Sequence, residues 1–387
     1  MIELLLTQAG DPGLEEHFLQ EVSTHVAAVK ASAGAADRRQ VARIEAAVRA
    51  NPDASFQFDA AGSGTLRTTD AGIPAGRFET PSLGALRKRV AAARTGGASG
   101  RVRLWVLDGA SPATDIGSLQ ATAGPVTLFQ VASQFNCLES PGPYITPVTN
   151  YFNDPTQGPR ASISAFPGTL LRHYAAPGED GRRFVQTSDG PQLNLLAAVC
   201  SPGVAEVRSG YLTSSGIADP SALAAALEGR FEEIRVGVHE DVPVVLGYNW
   251  DGAVAGDRCI GQVFTSTFAG GGYSGVSADD SNYRSICTAL LRAAYLGTLL
   301  AAAALGRPKV VLTLIGGGVF GNPVRLIWES ICWAINEVEP LVSATMDVVV
   351  NGRNLGEHIR VEDILPTVRA RGGAVIVFAP RGVSVRR

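Results

Sequence analysis

KVVLTLIGGGVFGNPVRLIWESICWAINEV, residues 309–338, reads as a strand, a glycine-rich turn and a helix. Residues 310–314 are apolar and rich in valine and leucine, as a buried central strand requires. Three glycines follow at once. Asn322 then stands where a helix N-cap belongs, and Pro323 stands at the first helical position, where a missing N–H costs nothing. Ile327, Ile331, Ile335 and Val338 recur at helical spacing and form one apolar face. The turn Gly316-Gly317-Gly318-Val319-Phe320-Gly321-Asn322 therefore offers free N–H groups at the positive end of a helix dipole, which suits an anion. Glycines let phosphate oxygens approach the backbone with no Cβ in the way. A tight turn needing positive φ would call for one glycine, not four.

No lysine follows as a P-loop demands. The spacing Gly316-x-Gly318-x-x-Gly321 imitates a dinucleotide fingerprint. A dinucleotide-binding helix would run through the third glycine, whereas Asn322-Pro323 sets the helix start after it. The next strand, 344–350, ends at Asn351 and not at a ribose-binding acid.

Outward from this turn, the chain alternates strands and helices. Strands are expected at 101–107, 126–131, 234–239, 242–248 and 259–267. Helices are expected at 13–50, with Gly34 inside it, at 82–93 stopped by Thr95-Gly96-Gly97, at 221–230, and at 281–305 with Ile286, Leu290 and Leu300 on one face. Residues 54–80 read as short strands and turns, and 140–168 as a long polar loop. That alternation argues for an α/β fold with a mixed sheet flanked by helices in three layers. The chain divides into a mostly helical N-terminal extension, 1–100, and a main domain, 101–387.

Of 387 residues, 45% are hydrophobic and 18% charged, which suffices for a real core and excludes a disordered chain. The net charge of -3, with no dense basic run, argues against nucleic acid as a partner. Five scattered cysteines with no CxxC pair read as reduced, buried thiols. The most apolar stretch, 290–305, contains Arg292 and many alanines, so it reads as a buried helix and not a membrane span. The N-terminus carries Glu3 within its apolar run and lacks a preceding basic segment, unlike a signal peptide. A cytoplasmic protein is expected; specialised secretion would leave no mark in these features. The five histidines are dispersed, so neither a metal nor a cofactor is expected.

Residues 262–280 run from a strand into Ala269-Gly270-Gly271-Gly272-Tyr273 and on to Asp279-Asp280 at the start of the long helix. One aspartate is free to cap that helix. The other is left for the cleft, where it would orient water or bind sugar hydroxyls.

These segments together resemble the macrodomain superfamily of ADP-ribose binders and hydrolases, and within it the divergent MavL-type group of bacterial effector ADP-ribosylhydrolases. VASQFNCLE, 131–139, is similar to the strand-end asparagine element of macrodomains. LTLIGGGVFGN, 312–322, is similar to their second diphosphate loop. Residues 270–280 resemble the glycine-to-diacid signature of poly(ADP-ribose) glycohydrolases, with Asp-Asp where Gln-Glu-Glu belongs. The glycine-rich stretch expected after the first asparagine is replaced by 140–160.

The resemblance spans about 100–350. It implies a metal-independent ADP-ribosylhydrolase acting on a modified protein side chain, with Asp279 and Asp280 catalytic. It implies ligand contacts from Gln134, Asn136, Tyr273 and 316–322, and Asp115 as the adenine-recognising acid; Asp154, a turn residue by default in Asn153-Asp154-Pro155, is a secondary candidate from its place in the long loop. Its partner would be ADP-ribose or an ADP-ribosylated protein, with no membrane involved. A non-catalytic ADP-ribose reader, a Rossmann-type enzyme or glycosyltransferase, and a structural protein that kept the fold all remain open.

Overall fold

The computed structural model describes residues 1–31, 38–68, 72–94, 99–250, 254 and 258–387. Gly34 and the expected stop at 95–97 lie outside them. In chain order the strands are β1 (Phe56–Phe58), β2 (Gly64–Arg67), β3 (Gly72–Glu79), β4 (Val102–Asp108), β5 (Thr127–Ala132), β6 (Ala176–Pro177), β7 (Arg183–Phe184), β8 (Gly237–Pro243), β9 (Cys259–Thr265), β10 (Lys309–Thr313), β11 (Met346–Gly352), β12 (Val375–Ala379) and β13 (Gly382–Arg386). The helices are α1 (Ile2–Gln8), α2 (Glu15–Ala31), α3 (Arg38–Ala50), α4 (Pro52–Ser55), α5 (Leu83–Ala93), α6 (Ile116–Ala121), α7 (Gln157–Ser164), α8 (Phe166–Tyr174), α9 (Pro220–Gly229), α10 (Ser281–Ala304), α11 (Val324–Val338) and α12 (Val361–Ala370).

Among the described residues, eleven strands form one sheet in the order β1-β2-β3-β8-β9-β5-β10-β11-β4-β12-β13, and β6 pairs with β7 apart from it. The six strands from β9 to β12 are mutually parallel. Antiparallel strands extend both flanks. The parallel strands are buried on both faces, which is why their sequences are near-continuous apolar runs.

Two glutamines define the layers. Phe129 pairs with Gln262 and Gln130 with Val263, so Gln130 and Gln262 project to opposite faces. The Gln130 amide donates to the Ala294 carbonyl of α10, and the Gln262 amide donates to the Ala161 carbonyl of α7. Helices therefore cover both faces, and the expected three-layer mixed sheet is the observed one. On the first face α10 packs against α5, α9 and α11. Ile327, Ile331 and Ile335 of α11 are fully buried, each worth about 1.5–3 kcal/mol of transfer free energy. Of the described helices, α10 alone is long and apolar enough to cross a membrane, and 78% of its apolar window is buried in this core.

Several local expectations are corrected. Of the expected helix over 13–50, Glu15–Ala31 and Arg38–Ala50 are helical, Pro12–Leu14 is a 3-10 turn, and 32–37 lie outside the described residues. The strands expected at 234–239 and 242–248 are one strand, β8. It bulges between His239 and Val242, where Asp241 adopts φ 54°. The polar stretch 140–168 is not all loop: it contains a 3-10 turn, Val148–Asn153, and α7. Strands β1 to β3, within the 1–100 segment, join the common sheet through β8. Of the cysteines, Cys137 and Cys287 are buried and Cys200, Cys259 and Cys332 half-buried.

Candidate functional site

The chain leaves β5 toward β9 on one side and leaves β10 toward β11 on the other. A crevice at the carboxyl ends of two such neighbours is where open α/β sheets hold ligands. Here it is a cavity of about 460 Å³, lined by the ends of β5, β10 and β11, by 139–141, by 154–159 and by Gly316, Gly318, Val319 and Phe320.

The glycine turn forms the middle of the wall. Gly317 N–H donates to the Leu314 carbonyl, Gly321 N–H to Gly318 and Asn322 N–H to Gly316, at 2.9–3.0 Å. Among the described residues nothing accepts from the amides of Gly316, Gly318, Val319 or Phe320. Gly316 has φ +72°, and a Cβ there would lie 2.4 Å from Thr267 Oγ1. A Cβ on Gly318 would meet nothing within 4 Å. Thus Gly316 is required by the turn's geometry, while Gly318 keeps the wall open.

Contrary to the expectation from the sequence, Asn322 does not cap α11. The helix begins one residue later, with Pro323 at its N-cap position and no side-chain cap. The buried Asn322 amide instead donates to the Phe268 carbonyl at 2.9 Å and to Thr267 Oγ1 at 3.3 Å. It thereby joins the turn to the loop after β9 and does not line the cavity.

On the β9 side, three aromatic rings close the cavity. Tyr211 stacks on Tyr273 at 5.1 Å between centroids, and Phe320 meets both edge-on at 5.9 and 5.2 Å. Tyr273 is partly exposed. The loop that carries it is pinned by Ser214 N–H donating to Ser274 Oγ at 3.0 Å. Gln134 lines the cavity, but its amide is committed: it donates to Tyr211 Oη at 2.8 Å and accepts from Ser140 N–H at 3.2 Å.

The loop after β5 departs from expectation at Asn136. That side chain is fully buried, accepts from Leu138 N–H at 3.1 Å, donates to Gln192 and packs against Gly210. It shapes a loop in which Cys137 has φ 63° and makes no cavity wall. Asp279 and Asp280 are corrected likewise. Asp280 caps α10, accepting from Asn282 N–H at 2.9 Å, and Asp279 pairs with Arg284 at 2.5 Å; both are exposed and neither lines the cavity. Asp115 is buried as the N-cap of α6 and ion-pairs with Arg160, so its carboxylate is consumed by structure.

The acids that do line the cavity are Glu139, Asp154 and Glu357. Asp154 was expected in the site, but Glu139, quoted within 131–139, was not singled out. Its only signal is that it is the single charged residue of that loop. Glu139 Oε1 is buried with no hydrogen-bond partner. Burial, and then the charge of nearby Asp154, push its carboxyl well above the usual carboxylate range, against the buried Arg172 cation. Asp154 Oδ1 accepts from Thr156 N–H and O–H at 2.9 and 2.7 Å.

Asp154 is positioned from a distance. It ends the 3-10 turn Val148–Asn153, whose first amides, Val148 and Thr149, donate to the carboxylate of Glu45 at 2.5 and 2.8 Å. Glu45 lies on α3 and is buried. Toward β11 and β4 the wall bears Arg353, also not singled out. Its Nη1 donates to the Ser111 carbonyl at 2.9 Å, and nothing described accepts from its Nε or Nη2.

Fold and site together define an open α/β protein with a ligand cavity at its topological switch point, able to bind an anion centrally and to transfer protons at one end. No protein-family model and no curated protein matches the sequence. Among solved structures the chain is similar to poly(ADP-ribose) glycohydrolase from Thermomonospora curvata, at 13% identity over 81% of this chain and 92% of that chain, TM-score 0.37. The same enzyme bound to the inhibitor ADP-HPD gives 14% identity over 82% and 93%, TM-score 0.38. The apo form of poly(ADP-ribose) glycohydrolase from Deinococcus radiodurans gives 12% over 76% and 93%, TM-score 0.39. These likenesses are distant, and the reading of the site rests on its own geometry.

Proposed function

We propose that the protein is an ADP-ribosylhydrolase of the macrodomain kind, in its MavL-type branch, cleaving the glycosidic bond between ADP-ribose and a modified protein side chain. The observation that carries this reading is the cavity's central wall: a glycine turn with unpaired amides, flanked on one side by carboxyl groups and aromatic rings and on the other by a cation. A diphosphate fits the amides of Gly316, Gly318, Val319 and Phe320. The distal ribose then lies toward Tyr211, Tyr273 and Glu139, and the adenosine toward Ile116 and Arg353.

Glycosidic cleavage passes through an oxocarbenium-like transition state, so it requires a carboxyl group beside the anomeric carbon. Glu139 and Asp154 line the cavity and are the carboxyl groups assigned to that end, whereas Asp279 and Asp280 are exposed. The reaction as proposed uses these carboxyl groups and no metal.

Calorimetric titration with ADP-ribose, NAD and UDP-glucose, paired with an assay for ADP-ribose release from ADP-ribosylated protein, tests the reading. ADP-ribose should bind most tightly and be released catalytically. Preference for NAD or a UDP-sugar would refute it, and tight binding without turnover would make the protein a reader.

A further inference from the structure

Glu139 ends the loop that follows β5, and Asp154 ends the turn held by Glu45. Both residues line the cavity, and the charge of Asp154 acts on the Glu139 carboxyl. Gly158, in the first turn of α7, lies against Glu139: a Cβ there would lie 2.9 Å from Glu139 Oε1 and 3.0 Å from Oε2. The chain thus uses a glycine where the Glu139 carboxyl comes up against backbone. The groups that face Glu139 are Asp154, the Arg172 guanidinium on α8, the Tyr151 hydroxyl, Tyr211 and the Cys137 thiol.

Of these, Arg172 makes no hydrogen bond to Glu139. Its three nitrogens are directed to the Cys137 carbonyl, Thr169 Oγ1 and His239 Nδ1, at 3.1–3.2 Å, and the guanidinium lies 3.6 Å over the Phe264 ring. The Tyr151 hydroxyl is taken as well: it accepts from Glu139 N–H at 2.7 Å and faces His173 Nε2 at 2.8 Å. The Glu139 carboxyl is left with the cavity and with Asp154. Asp154 Oδ1 is satisfied by Thr156, and no described residue donates to its Oδ2.

Resting on the function proposed above, we propose that Glu139 is the proton donor of the hydrolysis and that Asp154 accepts the proton of the attacking water. The bond from the anomeric carbon to the leaving atom breaks, its electron pair stays with that atom, and the Glu139 proton neutralises it. The water oxygen bonds to the anomeric carbon and gives its proton to the Asp154 carboxylate. The products are free ADP-ribose and the unmodified acceptor, and the proton returns from Asp154 to Glu139 through solvent. Two carboxyls in unlike surroundings, one buried without a donor and one hydrogen-bonded, are the arrangement that separates acid from base.

The test compares wild type, Glu139→Gln and Asp154→Asn by three measurements: calorimetry with ADP-ribose, single-turnover release from ADP-ribosylated protein, and infrared spectroscopy of protonated carboxyl groups across pH. Glu139→Gln should bind ADP-ribose within about threefold of wild type and lose about 10²–10⁴-fold in turnover. It should also lose a protonated-carboxyl band that wild type shows at neutral pH. Asp154→Asn removes a like charge, so that band should titrate at lower pH.

Unchanged turnover in Glu139→Gln, or a neutral-pH band that survives the substitution, overturns the assignment while leaving the function standing. A wild-type protein that does not bind ADP-ribose overturns the function and this role with it.

Discussion

Replacing Gly316 by alanine tests whether the turn is built as described. The residue has φ +72°, a region that costs an L-residue about 1–2 kcal/mol. Its new Cβ would lie 2.4 Å from Thr267 Oγ1 and 2.7 Å from Asn322 Nδ2. Overpacking of that kind costs about 1–3 kcal/mol. The unfolded chain loses freedom on Gly→Ala, which returns about 0.4–1 kcal/mol. The net expectation is a destabilisation of about 2–4 kcal/mol.

With an unfolding entropy of about 2.1 cal/mol/K per residue, a chain of this length should melt about 2–5 °C lower. Gly318→Ala is the control, since its Cβ meets nothing and its φ is not left-handed. It should melt within about 1 °C of wild type yet bind ADP-ribose about tenfold more weakly, because the methyl group intrudes on the anion wall. Scanning calorimetry and titration calorimetry on the two variants decide the matter. A Gly316→Ala protein as stable as wild type, or equal melting losses in both, would refute this division of labour within the turn.

Stability should also depend on pH through His173, which is fully buried and faces the Tyr151 hydroxyl. Burial, and then the Arg172 charge, lower its pKa to about 3. The unfolded chain takes up the proton first, so stability is complete above about pH 6.5 and is lost as pH falls toward 3, by at most about 5 kcal/mol. Urea titrations at pH 7 and pH 4.5 should show a smaller difference for His173→Gln than for wild type; an equal difference would count against the buried neutral imidazole. Tyr273→Ala removes a stacking and an edge-on ring contact, each worth about 0.5–1.5 kcal/mol. It should raise KM several-fold with little change in kcat, and a fall in kcat at constant KM would place the ring nearer the chemistry.

The strand, turn and helix of 309–338 were legible in the sequence because each is specified locally: apolar residues, then glycines, then a 3.6-residue period. The buried helix 281–304 was legible for the same reason. The site was less so. Asp279 and Asp280 carry a pattern that serves a cap and a catalytic acid equally, and only the tertiary placement of α10 shows their side chains turned to solvent. Asn136 sits in a recognisable loop, yet its amide is spent on Leu138 and Gln192, the latter 56 residues away. Glu139 becomes an unusual acid only because 154–158 folds back over it, and no local pattern records that return. β8 reads as two strands in the sequence because its bulge at Asp241 breaks the alternation on which strand recognition depends. Strands β1 and β2 are short, and β3 joins them to the sheet through a partner more than 150 residues downstream.

The place of β4 between β11 and β12 governs when the chain can finish folding. Val102–Asp108 leaves the ribosome 238 residues ahead of Met346, the first residue of its nearer partner in sequence. At about 5–20 residues per second, that is an interval of about 10–50 s. Throughout it, a strand made almost wholly of residues destined for the core has both edges open, the condition under which chains pair with one another. Nascent chains that stop short of residue 346 should therefore be clients for chaperones, and the two edges close in turn as Met346–Gly352 and then Val375–Ala379 emerge.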